Sequence, residues 1–380
     1  MSSATLEQNT VAHKPVPTRI WAVVFGSTLF LSALLLFQVQ LIVGKYILPW
    51  FGGSAAVWTT SMLVFQVLLL GGYVYSHLVS ERLSQRMQSN LHLALLLAAF
   101  VLVVTLSLLW PSAITPSAGW KPQSSANPLW RVTVILLVAA GLPFFVLSTT
   151  GPLLQSWFVR QGGSTRTYRF YAISNFGSLL GLLAFPFLME PTLHMRTQGR
   201  IWAFLFILFA VGCAWCAWRG RHVADDEPPL RSQAAPLPGH TTAITRVLWV
   251  LLAACAAALL FATTNLLCQE ITSIPLLWVL PLSLYLLTFI FCFDHPRWYR
   301  REIFHPLLLL GIAVFYASMH FALATLEIVI VSLLVFVACM ICHGELVKLK
   351  PEVQRLTSFY LAISAGGALG GMFVAIVAPL

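Results

Sequence analysis

Long apolar runs separated by short polar breaks dominate the chain from residue 20 onwards. A helix needs roughly 20 apolar residues to cross the hydrocarbon core of a bilayer. Runs of about this length predict an all-α polytopic membrane protein with eleven transmembrane helices and a polar N-terminal tail at 1–19. The predicted spans are 20–43, 55–79, 91–110, 131–157, 169–189, 201–218, 246–268, 272–293, 304–323, 326–343 and 357–378.

One polar break is long enough to divide the chain. Residues 219–245 are mixed in charge and rich in proline, which is typical of a flexible linker. The linker separates a first half of six predicted helices, 20–218, from a second half of five, 246–380. We therefore predict two helical halves, of which the second is incomplete.

The two halves share a sequence phrase. The fifth span contains FYAISNFGSLLGLL and the eleventh contains FYLAISAGGALGGMF. A shift of 190 positions matches Ala-Ile-Ser in both copies and pairs Gly177 with Gly367. The same shift pairs Gly181 with Gly371, and such small-xxx-small spacing lets helix backbones approach closely. The repetition at equivalent places predicts two parallel repeats.

Parallel repeats of six spans joined by a cytoplasmic linker describe the major-facilitator-type architecture, in which the substrate path lies between the halves. On that pattern a twelfth span is missing after the eleventh. We therefore expect the chain to be the N-terminal part of something longer.

Composition and charge agree with a membrane location. Hydrophobic residues make up 59% of the chain and charged residues only 9%, against about 25% charged in soluble domains. The predicted spans place 17 of the 22 Lys and Arg residues on one side and five on the other. Basic loops mark the cytoplasmic side, so the N-terminus is predicted to be cytoplasmic. The basic side then faces anionic lipid headgroups, and we expect no nucleic-acid partner despite the formal charge of +10.

Five stretches carry a resemblance to a known family. They are KYILPWFGGSAAVW (45–58), GPLLQSWF (151–158), YAISNFGSLLGLLAFPFLMEP (171–191), PLLWVLPLSLYLLTFIFCF (275–293) and CHGEL (342–346). These stretches resemble the membrane region of bacterial spermidine synthase-like proteins, which join a major-facilitator-like region to an aminopropyltransferase-like domain. The resemblance implies a location in the bacterial inner membrane. It also implies a soluble aminopropyltransferase-like domain or other complex subunits as partners.

The chain itself lacks the sequence features of that enzymatic domain. No glycine-rich turn follows a strand and opens a helix, as an adenosyl cofactor site would need. We therefore predict neither aminopropyltransferase activity nor a cofactor for this chain. The CMICH stretch, Cys339 to His343, has the spacing of a haem attachment motif, but it is predicted at the cytoplasmic end of a span. We expect no haem or metal there.

Polar side chains inside the spans are the candidates for a substrate path, because each costs energy in lipid unless it faces a partner or a cavity. The candidates are Gln38, Gln40, Gln66, Thr149, Thr150, Gln155, Asn175, Asn265, Gln269, Glu270, His343 and Glu345. The competing interpretation is that these groups hydrogen-bond neighbouring helices together.

Glu270 is the most specific candidate among them. It follows Gln269 directly, and Asn265 lies little more than one helical turn before it. We expect Glu270 at the outer rim of the path, facing Gln38 or Gln40, where a carboxylate could accept hydrogen bonds from a cation. The sequence thus predicts transport or delivery of a small cationic solute. The alternative is a non-transporting membrane scaffold that anchors a soluble enzyme or a larger complex.

Overall fold

The computed structural model describes residues 19–51, 55–121, 128–161, 167–223, 242–270, 279–318, 324–352 and 355–374. These residues form eleven apolar helices that follow the predicted spans. They are α1 (Arg19–Ile47), α2 (Ala55–Arg82), α3 (Gln85–Leu109), α4 (Pro128–Leu136 and Leu142–Arg160, joined by a π-helical turn), α5 (Thr167–Ala184), α6 (Met195–Val223), α7 (Ala243–Glu270), α8 (Val279–Asp294), α9 (Arg301–Ser318), α10 (Ala324–Lys348) and α11 (Leu356–Met372).

The predicted all-α membrane fold is confirmed. Nine helices within the described residues are long and apolar enough to cross a membrane, and the other two, α8 and α11, are apolar but shorter. α10 continues to Lys348, so the stretch CHGEL lies inside this helix and not beyond its end. α6 likewise continues to Val223, and most of the predicted linker lies outside the described residues.

The same helix pairs recur in both halves. α1 packs on α5 as α7 packs on α11, and α2 packs on α4 as α8 packs on α10. The halves themselves meet mainly through two pairs, α5 with α8 and α2 with α11, and α4 makes a smaller contact with α11. Equivalent helices therefore have equivalent neighbours, and a path between the halves would run between these joining pairs.

Close backbone contacts correct the predicted register of the repeat. A Cβ atom on Gly177 would lie 2.4 Å from the carbonyl oxygen of Phe30. In the second half the corresponding contact belongs to Gly366, where a Cβ would lie 2.5 Å from the oxygen of Val250. A Cβ on Gly367 would meet nothing within 4 Å. The pairing of Gly177 with Gly367 is therefore wrong, and the true partner is one residue earlier.

The second glycine of each copy supports the corrected register. A Cβ on Gly181 would lie 2.6 Å from the oxygen of Leu34, and one on Gly370 would lie 2.3 Å from the oxygen of Ala254. The α5 and α11 repeats are thus related by 189 positions, and the α1 and α7 repeats by 220. The glycine doublets of the second copy explain the error, because they allow both registers in the sequence.

The orientation in the membrane is still a prediction from the basic residues, and thiol labelling tests it. Trp120, which follows α3, is 37% exposed, and Arg297, which follows α8, is also exposed. In a cysteine-free background, Trp120→Cys should react with a membrane-impermeant maleimide added outside intact cells. Arg297→Cys should react only after permeabilisation, and the reverse pattern would invert the assigned topology.

Candidate functional site

Four tyrosines meet where the two halves join, and we refer to them as the tyrosine quartet. They are Tyr73 of α2, Tyr171 of α5, Tyr285 of α8 and Tyr360 of α11. The rings of Tyr171 and Tyr360 stack across the interface, with centroids 4.7 Å apart and planes 9° apart. Tyr73, Tyr171 and Tyr285 are half-buried and pack against one apolar cluster that contains Tyr360. Each of the four joining helices therefore contributes one tyrosine.

The quartet follows the internal repeat. Tyr171 and Tyr360 are separated by 189 positions, the shift that the glycine contacts give for α5 and α11.

Tyr73 and Tyr285 each precede a hydroxyl residue by three positions. Ser76 donates to the carbonyl of Thr149 on α4, at 2.9 Å. Thr288 lies 2.8 Å from a ring nitrogen of His343 on α10. Both hydroxyls thus tie their helix to the equivalent neighbour.

Further contacts cross the interface around the quartet. Tyr171 of the first half packs on Phe293 and Phe289 of the second, with ring centroids 4.4 and 5.6 Å away. The Tyr360 hydroxyl donates to Oε1 of Gln155, at 2.8 Å, and both side chains are almost fully buried. Gln155 is therefore the one predicted path residue for which a hydrogen bond between the halves is described.

Two more contacts define how far the interface extends. Nδ1 of His77 lies 3.2 Å from Oγ1 of Thr357, near the predicted cytoplasmic ends of α2 and α11. Further along the same pair, a Cβ on Gly371 would meet the amide of Gln66 at 3.1 Å. The halves are therefore in contact from the predicted cytoplasmic end to beyond the middle of α2 and α11.

Several other predicted path residues make their described hydrogen bonds within their own half, although the amide oxygen of Gln38 has no described partner. Gln38 is buried and donates to Sδ of Met189 at 3.3 Å. Thr149 and Thr150 are fully buried and both donate to the carbonyl of Val146 on their own helix. Gln40 is half-buried. These contacts correspond to the helix-binding interpretation of intramembrane polar groups.

No contact between the halves is described for Asn175 of α5 or Asn265 of α7. Asn175 donates to the carbonyl of Tyr171 on its own helix, at 2.8 Å, and Asn265 is exposed. The register of 220 places Asn265 opposite Lys45, so the amides of α1 and α7 do not occupy equivalent positions. Gln269 and Glu270 end α7, but their side chains lie outside the described residues. The predicted role of Glu270 stays a prediction.

The two candidates on α10 face their own half. His343 is fully buried, and its ring stacks on Phe289 with centroids 3.7 Å apart. Glu345 forms a bidentate ion pair with Arg301 and accepts a hydrogen bond from the Tyr299 hydroxyl at 2.7 Å. Glu345 therefore ties α10 to the α8–α9 connection at the predicted cytoplasmic surface and does not face the first half.

The side chains named at the interface are all uncharged. The quartet, Phe289, Phe293 and Gln155 carry aromatic faces, hydroxyls and an amide, and none of them bears a formal charge. Aromatic faces attract cations through the ring quadrupole, and hydroxyls and amides hydrogen-bond polar groups. Sequence reasoning missed the tyrosines because Tyr is amphipathic and carries no large penalty in a membrane. Two of them could have been found from the sequence, because a Phe-Tyr pair containing Tyr171 or Tyr360 begins each copy of the repeated phrase.

Comparison with known proteins identifies the fold but not a family. No protein-family model and no curated protein matches the chain. A solved structure of the major facilitator superfamily proton:xylose symporter XylE, bound to 6-bromo-6-deoxy-D-glucose, matches with a TM-score of 0.53 and 12% sequence identity. The match covers 94% of this chain and 88% of that chain. The protein thus has the major facilitator fold of two parallel helical repeats.

Proposed function

We propose that the protein is a membrane transporter that moves a small solute between its two halves. The observation that carries this proposal is the stacking of Tyr171 on Tyr360. Equivalent residues of the two repeats meet face to face where a path between the halves would have to open. Opening and closing of one repeat against the other is the movement expected of transporters with this architecture.

The contacts across the interface suit a reversible closure. They are a few aromatic pairs, each worth about 0.5–1.5 kcal/mol beyond area burial, and a few neutral hydrogen bonds worth roughly 1 kcal/mol each. The described ion pairs, such as that of Glu345 with Arg301, lie within single halves. Among the described contacts, ion pairs therefore lie within a half, while uncharged pairs join the halves.

The proposed solute is a small organic cation in the bacterial inner membrane. Aromatic faces in the quartet support this class, as does the predicted place of Glu270 at the outer end of α7. The resemblance to spermidine synthase-like membrane proteins would make the solute a polyamine or a related amine. It would also place an aminopropyltransferase-like domain or another subunit beside the protein.

One observation favours the second candidate function, a membrane scaffold. Thr149, Thr150 and Asn175 bond to carbonyls of their own helices, so much of the intramembrane polarity needs no path. A scaffold would keep its halves permanently closed. A transporter must separate them.

A reversible cross-link between the halves tests the proposal. His77→Cys with Thr357→Cys replaces two side chains whose polar atoms are 3.2 Å apart across the interface. In a cysteine-free background, we expect uptake of radiolabelled spermidine into proteoliposomes to stop on oxidation and to return on reduction. The control pair, Ser112→Cys with Thr115→Cys, joins two residues of the first half and should leave uptake unchanged.

The outcomes separate the two functions and the solute class. Uptake that persists with the cross-link formed would contradict movement between the halves. If the uncross-linked protein takes up no spermidine but does take up choline, the solute is a different cation. No uptake of either cation, and none of xylose, would favour the scaffold.

A further inference from the structure

A second polar site lies inside the first half, away from the tyrosine quartet. Gln85 and Ser89 at the start of α3 and Gln161 at the end of α4 are 1%, 0% and 3% exposed. Both amide atoms of Gln85, both of Gln161 and the hydroxyl of Ser89 make no hydrogen bond to the described protein atoms. Uncharged polar side chains buried this deeply normally have partners.

These groups converge on one point beside Gly220 of α6. A Cβ on Gly220 would lie 3.0 Å from Nε2 of Gln85, 3.4 Å from Nε2 of Gln161 and 3.9 Å from Oγ of Ser89. Glycine at this position keeps a methyl group out of the cluster. Two helices, α3 and α4, thus present polar atoms to the same small volume, and the glycine of the third, α6, leaves it open.

The polar cluster continues along α3 into the half. His92 lies one turn beyond Ser89 on the same helix face and is fully buried. Its Nε2 contacts Sγ of Cys213 at 3.5 Å, while its Nδ1 has no partner among the described residues. The hydroxyl of Tyr75, whose ring packs near His92, is also buried without a described partner. A line of polar atoms therefore runs inward from the predicted cytoplasmic end.

The free-energy cost of burying these polar atoms without partners indicates that a polar molecule binds in this cluster. Each buried polar group without a partner costs about 1–3 kcal/mol, so five such atoms would cost an amount comparable to the whole stability of a typical domain. The nearby Gln88 illustrates the normal state, because it accepts from Trp157 at 2.9 Å and donates to the Leu83 carbonyl at 2.8 Å.

We propose that Gln85, Ser89 and Gln161 bind internal water, and that this hydrated site extends along α3 to His92 and Tyr75. Water fits because amides and a hydroxyl both donate and accept, and because a buried water needs two to four polar partners. The site would connect the predicted cytoplasmic surface with the interior of the first half, independently of the path between the halves.

Two substitutions at Gly220 test the site by thermal unfolding of the purified protein. Gly220→Ser adds a hydroxyl that can replace the bound water, so its melting temperature should stay close to that of the unmodified protein. Gly220→Ala displaces water with a methyl group and should lower the melting temperature by several degrees. Ser is larger than Ala and is the poorer helix former, so it would be the more damaging of the two if the amides of Gln85 and Gln161 bonded each other and left no room for water. That order would overturn the proposal.

Hydroxyl-radical footprinting of the unmodified protein supplies a second measurement. Trp157, which contacts the hydrated site through Gln88 and His92, and Trp202 are both fully buried. Radicals formed from bound water should oxidise Trp157 several-fold faster than Trp202. Equal protection of both indoles would contradict bound water. Phosphate is excluded from protein surfaces and stabilises many proteins in general, so it needs the Gly220→Ala protein as a control. A melting temperature that rises with inorganic phosphate in the unmodified protein and clearly less in Gly220→Ala would also overturn the proposal, because it would identify the bound group as an anion.

Discussion

Replacing Gly370 with alanine should destabilise the protein more than almost any other single-methyl change in the second half. The new Cβ would lie 2.3 Å from the carbonyl oxygen of Ala254 and 2.9 Å from the Cβ of Ala257. Neither neighbour is a flexible side-chain end, so α11 must move away from α7. Overpacking of this kind costs about 1–3 kcal/mol, and we expect the upper part of that range. A lower apparent melting temperature and a lower yield of monodisperse protein would report it.

Gly367 provides the matched control, three residues earlier on the same helix. A Cβ there meets nothing within 4 Å, and alanine favours a helix over glycine by about 1 kcal/mol. Gly367→Ala should therefore be neutral or stabilising. Equal damage from Gly367→Ala and Gly370→Ala would show that the packing register of the second half is wrong.

The helices were predictable from sequence because a bilayer sets a minimum length for an apolar run. Every predicted span has a helix, and the repeated phrase correctly indicated two parallel repeats. The register of the repeat was not predictable from identities alone. Gly366 and Gly367 are adjacent, and only the carbonyl of Val250 distinguishes the packed glycine from the open one.

The candidate site was less predictable, since polarity within a membrane has two explanations. The cost of a polar group in lipid singled out Gln155, which bonds to Tyr360 across the halves, although its place in a substrate path stays a prediction. The same criterion also selected Thr149 and Thr150, whose hydroxyls are satisfied by a carbonyl one turn away. It passed over Tyr171 because an aromatic ring costs little in a membrane.

Removing the ring of Tyr171 should shift the equilibrium between the closed and the open arrangement of the two halves. Tyr171 stacks on Tyr360 and packs on Phe289 and Phe293, so Tyr171→Ala removes three aromatic pairs across the interface. At about 0.5–1.5 kcal/mol per pair, the closed state would lose roughly 2–4 kcal/mol, which is a shift of at least tenfold in population. Tyr171→Phe keeps the ring and should keep the halves closed.

The distance between the two halves tests the account most directly. Spin labels at Met87→Cys on α3 and Ile303→Cys on α9 occupy exposed positions near the predicted cytoplasmic ends of opposite halves. Pulsed electron–electron double resonance in a cysteine-free background should give one short distance for the otherwise unmodified protein and for Tyr171→Phe. Tyr171→Ala should add a second, longer distance as a major population. The same single, narrow distance in all three proteins would contradict the claim that the tyrosine quartet closes a path that can open.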